Sequence, residues 1–262
     1  APLERTVSYL SGTRLGPREI LRASAQLELW DEELGIDVHT QGICTLPEME
    51  LPYSDQVEAL AEINRVAKTI ISLNKFLVTL GGEHSITPPL VAAAAAHYDD
   101  LSILQIDAHA DLRDSYLGNP NSHACAMRRS LDYAPCTQVG IRSLSTEEAM
   151  IADSLPTTIF YDVKMRDRAN WVEDIVSTLR RRVYITIDCD GLNPAVMPAV
   201  GTPEPGGLSW TELIQILRLT FRKREVIACD VVELCPISGL AHPNFLCAKL
   251  VYKLLTYRLG EP

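Results

Sequence analysis

Six short apolar runs, separated by longer stretches of helical periodicity, set the narrowest limit on how this chain can fold. They are "KFLVTL" (75–80), "LSILQID" (101–107), "CTQVGI" (136–141), "TTIFYD" (157–162), "VYITIDCD" (183–190) and "EVIACDVV" (225–232). Most are continuously apolar rather than alternating, which is the pattern of strands covered on both faces. "GIDVHTQG" (35–42) reads as a seventh. Helical segments fall between them. "SDQVEALAEINRVAKTIISL" carries Val57, Leu60, Ala67 and Ile70 at helical spacing, behind Ser54 or Asp55 as N-cap. "SWTELIQILRLTF" puts Leu213, Ile216, Leu217 and Phe221 on one face, and Ser209 with Glu212 forms a capping-box pattern. "HPNFLCAKLVYKLLTYRL" closes the series as a last helix. The alternation predicts an α/β fold around a mainly parallel sheet, in a single domain over residues 1–262.

Charge and cysteine usage narrow the partners. The formal net charge of -10 argues against nucleic acid and anionic membrane surfaces and suits a small cationic substrate. The seven cysteines form no close CxxC pair and several sit in apolar runs, so buried free thiols and a cytoplasmic location are expected. No signal peptide or membrane span is visible; the Ala-rich run "LVAAAAAHYDD" is too short to cross a bilayer.

Two of the strands end in acids. In "ILQIDAHADLRD", Asp107, His109 and Asp111 share a face if strand geometry persists, because side chains repeat with period two. In "VYITIDCD", Asp188 and Asp190 do the same, with Cys189 facing away. Four carboxylates and an imidazole gathered at strand ends repel one another and resist desolvation unless cations sit among them. Two divalent ions balance four aspartates, and oxygen and imidazole ligands suit Mn²⁺, with Co, Fe or Zn as alternatives. His84, in "TLGGEHSIT" after another strand, is a sixth ligand candidate. A lone Asp at a strand end usually caps a helix or pairs with Arg; it is the paired occurrence that points to metal.

The segments "GGEHS", "DAHAD", "SHACAMRR", "TIDCDGLNP", "GTPEPGG" and "DVVEL" together resemble, in order, the ureohydrolases of the arginase and agmatinase family. "TVSYLSGTRLGPREI" and "VGIRSLSTEE" are similar to the agmatinase branch. The resemblance implies a three-layer sandwich with a mainly parallel sheet of eight strands, its first strand missing here. It implies two Mn²⁺ per subunit. His84 and Asp111 would hold one ion and His109 and Asp190 the other, with Asp107 and Asp188 bridging. It implies catalytic roles for Asp111 as proton carrier, His123 as active-site histidine and Glu233 as partner of a substrate guanidinium. It also implies a homo-oligomer, trimer or hexamer. Three departures stand out: Asn193 replaces a usual aspartate, and Ala199 and Val200 replace the first residues of a usual "GTGTP".

The chemistry implied is hydrolysis of a guanidino group to urea and an amine by a metal-activated hydroxide. Ser143 and Ser145 stand where arginases carry aspartates, so the expected substrate is agmatine, yielding putrescine. Aminopropylagmatine and guanidinobutyrate are the alternatives. Arg113 is expected to be a solvated charge beside Asp114. A non-catalytic metal-binding relative and a single-zinc, deacetylase-like hydrolase are the competing classes.

Overall fold

The computed structural model describes residues 1–52 and 54–260. Eight strands and nine α-helices are present among the described residues. Two strands, β1 (Trp30–Asp31) and β2 (Ile36–Asp37), form a small antiparallel pair. The other six, β3 (Leu77–Leu80), β4 (Leu101–Ile106), β5 (Cys136–Ile141), β6 (Thr157–Tyr161), β7 (Arg182–Asp188) and β8 (Glu225–Val232), make one sheet of order β3-β8-β7-β4-β5-β6. All of its pairings are parallel. Every apolar run of the sequence is a strand of this sheet.

"GIDVHTQG" does not join it. Its strand is two residues long, and a turn of 3-10 helix over Val38–Gln41 follows. Only Val38 in that turn is buried. The segment lacks the uninterrupted apolar run that a strand covered on both faces requires.

Helices cover both faces, giving the three layers expected. Successive residues of the central strands serve opposite layers, as the pleat demands. Ile103, Tyr184 and Ala228 pack on one side with Ile63, Ala67 and Ile71 of α2 (Gln56–Ser72) and Leu90 and Val91 of α3 (Thr87–Ala95). Ala126 and Met127 of α4 (Ala126–Ser130) complete that layer. Leu104, Ile185 and Cys229 pack on the other side. There they meet Ile20 of α1 (Gly16–Ser24), Ile175 of α7 (Trp171–Thr178), Leu213 and Leu217 of α8 (Trp210–Lys223) and Leu250 and Leu254 of α9 (His242–Leu259). Two shorter helices, α5 (Thr146–Ile151) and α6 (Asp162–Met165), flank β6.

The helix starts follow the sequence. Asp55 accepts the backbone N–H groups of Val57 and Glu58 at the start of α2, and Ser209 with Glu212 forms a complete capping box at α8. The buried stripe of α2 is displaced from the one expected. It is Ala59, Ile63, Ala67 and Ile71, whereas Val57 is 63% exposed. Leu60 is half-buried against the same layer.

Chain order makes the site. From β4 the chain steps outward to β5 and β6, then returns to place β7 on the other side of β4. Such a reversal leaves a crevice at the C-terminal ends of the strands, where open α/β sheets bind ligands.

Candidate metal centre

Four strand ends supply the side chains. After β3, Gly81 and Gly82 lead into His84. A Cβ on Gly82 would lie 2.0 Å from the carbonyl oxygen of Leu3. The first residues run directly against this turn: Gly82 N–H donates to Ala1 O at 3.0 Å and Glu83 N–H to Leu3 O at 2.8 Å.

After β4, strand geometry does not persist through the acids as expected. β4 ends at Ile106, and Asp111 takes a φ of 53°, in the left-handed region. The alternation survives only in part: His109 bridges Ser143, while Ala108 and Ala110 are fully buried. After β7, Asp190 lies in a 3-10 turn, Cys189–Gly191, and its N–H donates to Asp188 Oδ1 at 2.9 Å. A Cβ on Gly191 would meet the Asp107 nitrogen at 2.7 Å, so glycine there lets the ends of β4 and β7 close together. Cys189 faces the core as expected, its Sγ 3.5 Å from that of Cys247. None of the seven cysteines forms a disulfide, and Cys44 alone among them is exposed.

All six candidate ligands converge. His84 Nδ1 lies 3.1 Å from Asp107 Oδ2, 3.1 Å from Asp111 Oδ2 and 3.3 Å from Asp188 Oδ2. His109 Nδ1 lies 3.0 Å from Asp190 Oδ2 and 3.6 Å from Asp107 Oδ1. Two groups therefore have ligand atoms close enough to hold an ion: His84 with Asp107 and Asp111, and Asp107 with His109 and Asp190. Asp107 belongs to both, one oxygen turned to each histidine. Asp188 stands beside His84, outside the two groups.

The proton inventory shows that cations fit here. His84 Nε2 is 2.9 Å from Thr186 Oγ1, and the Thr186 hydroxyl donates its proton to Asp230 Oδ1 at 2.6 Å. A hydroxyl has one proton, so Nε2–H of His84 must be the donor to Thr186. In the neutral ring, Nδ1 is then a bare lone pair. It is buried, has no hydrogen-bond partner and faces three carboxylates. A lone pair aimed at anions is repulsive, and a metal ion relieves this where a proton otherwise must.

Electrostatics say the same. Burial disfavours protonating His84, but Asp107, Asp111 and Asp188 outweigh it and lift its pKa well above the usual range. Burial likewise opposes protonation of His109, yet Asp190 and Asp107 push it up to about 12. Burial, then Asp190 and Asp107, raise the Asp188 carboxyl far above its ordinary value. Asp111 is raised by burial and then by Asp107. Asp107 resists burial and is lowered, because both histidines adjoin it. Without cations the cluster holds protons; two divalent ions replace them.

Glu233 and His123 line the same cavity, of about 220 Å³, as His84, His109, Asp111, Asp188 and Asp190. Glu233 has a φ of 63° and accepts the His84 backbone N–H at 2.7 Å. Burial, then Glu83, push its carboxyl well up. Ser143 and Ser145 also line the cavity, the latter already accepting Glu148 N–H as the cap of α5. Arg113 does not pair with Asp114. It lies 3.6 Å from Glu148 Oε2 and over the Tyr116 ring, while Asp114 pairs with Arg129.

The three departures lie off the cavity. Asn193 Oδ1 accepts Ala195 N–H in a turn, a role aspartate also fills. Ala199 and Val200 are buried in the core. Sequence reasoning missed Thr186, Asp230 and Glu204, whose Oε1 is 3.9 Å from His109 Nε2. It also missed Arg142, whose guanidinium donates to the carbonyls of Asp190, Glu204 and Pro205 and so ties two loops of the site together.

A model of the arginase family matches residues 1–256. The chain belongs to the arginase family. It falls in the agmatinase-like branch of the ureohydrolases. It is 41% identical over 266 residues to an N(1)-aminopropylagmatine ureohydrolase of Synechocystis sp., covering 98% of this chain and 86% of that protein. It is 37% identical to an N(1)-aminopropylagmatine ureohydrolase of Thermus thermophilus, covering 96% and 86%. The crystal structure of the agmatine ureohydrolase of Thermoplasma volcanium superposes with a TM-score of 0.90 at 34% identity, covering 99% of this chain and 88% of that one. The His and Asp cluster has the composition and layout of a dinuclear site for divalent ions. No helix among the described residues is long and apolar enough to cross a membrane.

Proposed function

We propose that this chain is a ureohydrolase acting on N(1)-aminopropylagmatine, releasing urea and the corresponding triamine. The placement of Asp107 between two ligand groups carries the chemistry. The choice of substrate follows the two aminopropylagmatine ureohydrolases and displaces the agmatine expected from the sequence. Agmatine is the second reading, supported by the likeness to the Thermoplasma volcanium enzyme.

In this reading, His84 and Asp111 would hold one ion and His109 and Asp190 the other, with Asp107, which belongs to both groups, and Asp188 completing the set. The bound pair, Mn²⁺ or in its place Co, Fe or Zn, supplies a water acidic enough to act as nucleophile near neutral pH. Glu233 receives the guanidinium. Burial and then Glu83 raise its carboxyl well above the ordinary value, and an arriving guanidinium cation offsets the cost of ionising it with charge-assisted hydrogen bonds. This fixes the guanidinium carbon over the site, and positioning of this kind removes much of the entropic barrier. Asp111 would accept a proton from that water at a carboxylate oxygen and pass it to the departing nitrogen. The subunits are proposed to assemble as a trimer or hexamer.

Urea release by the Mn²⁺-loaded protein tests the reading, across aminopropylagmatine, agmatine, guanidinobutyrate and arginine. The expected result is the highest kcat/KM with aminopropylagmatine. A preference for agmatine transfers the assignment to the second reading. A preference for arginine, or no urea from any of them, rejects both.

A further inference from the structure

We propose that Thr6 is a positioning residue that holds His123 as its Nε2–H tautomer, so that the ring offers a hydrogen-bond donor to the reacting substrate. Thr6 Oγ1 lies 3.0 Å from His123 Nδ1 and also accepts the His123 backbone N–H at 3.0 Å. The backbone contact fixes the direction of the other: one lone pair of the hydroxyl is occupied, and no further acceptor for its proton appears among the described residues. The Thr6 proton therefore points at Nδ1, which must be unprotonated in the neutral ring. The proton of the imidazole is left on Nε2. Ser122 Oγ, 3.4 Å from Nδ1, lies on the same side and leaves the assignment unchanged.

The hydroxyl is held in place from below. Glu83 is 1% exposed, and its Oε2 accepts the backbone N–H groups of Arg5 at 2.8 Å and Thr6 at 2.7 Å. Its Oε1 accepts the Ser85 hydroxyl at 2.6 Å. The residue that precedes the His84 ligand thus anchors the segment that orients His123. Tyr116 packs edge-on against the His123 ring, with centroids 6.0 Å apart, and restrains its rotation.

The consequence for catalysis rests on the guanidine reading above. A guanidinium has N–H donors and no acceptor, so an Nε2–H donor has nothing to bind in the substrate itself. Attack at the carbon makes the departing nitrogen tetrahedral and gives it a lone pair. His123 Nε2–H meets that lone pair as attack develops, before the proton from Asp111 takes it, which stabilises the transition state and not the ground state. Loss of the hold on His123 therefore lowers kcat and spares KM.

Two measurements decide it. In ¹⁵N-histidine spectra of the metal-free protein at alkaline pH, with His123 assigned through His123→Asn, wild type should show an unprotonated Nδ1 and a protonated Nε2. Protonated Nδ1 overturns the proposal, whatever the substrate proves to be. In the loaded enzyme, Thr6→Val should mix the two tautomers and lower kcat about tenfold, the rate equivalent of one net hydrogen bond, with KM within about twofold. Thr6→Ser should restore both the spectrum and the rate. Unchanged kcat in Thr6→Val, or a loss seen only in KM, contradicts it. Absence of urea from every guanidine with the expected wild-type spectrum removes the guanidine reading and leaves the tautomer standing.

Discussion

His84 shows at the scale of one residue how an imidazole is aimed at a cluster of carboxylates. The ring is aimed less by its own loop than by Thr186, 102 residues away, whose hydroxyl is in turn held by Asp230. Asp230 is fully buried and accepts from Thr87 and Tyr184 as well. Partners behind a metal ligand fix its orientation and basicity, and their loss costs about 10–100-fold in affinity. Thr186→Val should therefore weaken Mn²⁺ binding by about that factor, measured by competition with a chelator, with little change in the far-UV spectrum. The protons of the metal-free cluster make a second prediction. His84 and His109 have raised pKa values, so near neutral pH they hold protons that an entering ion must expel. Affinity should rise with pH, and titration calorimetry in buffers of different ionisation enthalpy should show net proton release. A pH-independent affinity would contradict the electrostatics drawn here. The convergence of the six candidate ligands was legible in the sequence because charge crowds at strand ends. Thr186 and Thr6 were not, since a threonine looks alike whether it fills a strand or directs an imidazole across 117 positions.

Elements were legible where one local pattern dominates. The six strands of the sheet follow from uninterrupted apolar runs, and α8 from periodicity and its capping box. The DAHAD segment misled because its acids continue the strand in spacing but not in backbone: the left-handed Asp111 ends the extension. The face of α2 misled because two of its four buried residues are alanines, which weigh little in any hydrophobic count. Ser209 tests the elements' own stability. It caps α8 reciprocally with Glu212, and Ser209→Ala should cost about 1 kcal/mol, read by denaturant midpoint. Burial opposes ionisation of Glu212, but Arg166 and Ser209 hold its carboxyl down to about 2. A depressed carboxyl stabilises the fold at pH values above its unfolded pKa of about 4.3, and this stabilisation is lost as pH falls toward the folded value. Glu212→Gln should be less stable than wild type at neutral pH, and the difference should shrink as the solution is acidified through that window.

At the scale of the molecule, strand order brings four distant segments to one crevice. β5 and β6 lie on one side of β4, while β7 joins it on the other side with β8 beyond β7, and this brings Asp188 and Glu233 into one cavity with His109 and Asp111. Sequence pattern alone does not reveal that order, and the resemblance to ureohydrolases implied only a mainly parallel sheet of eight strands; among the described residues six form that sheet and two a separate antiparallel pair. The same assembly gathers buried acids that repel one another, so the folded chain is built around cations it must acquire. The most direct test is the metal content of protein equilibrated with Mn²⁺ and freed of excess, measured by elemental analysis for wild type and Asp107→Asn. The account predicts two ions per wild-type chain and a loss of metal in the variant, since Asp107 faces both groups. One ion or none in wild type, or a variant that keeps both, would contradict it.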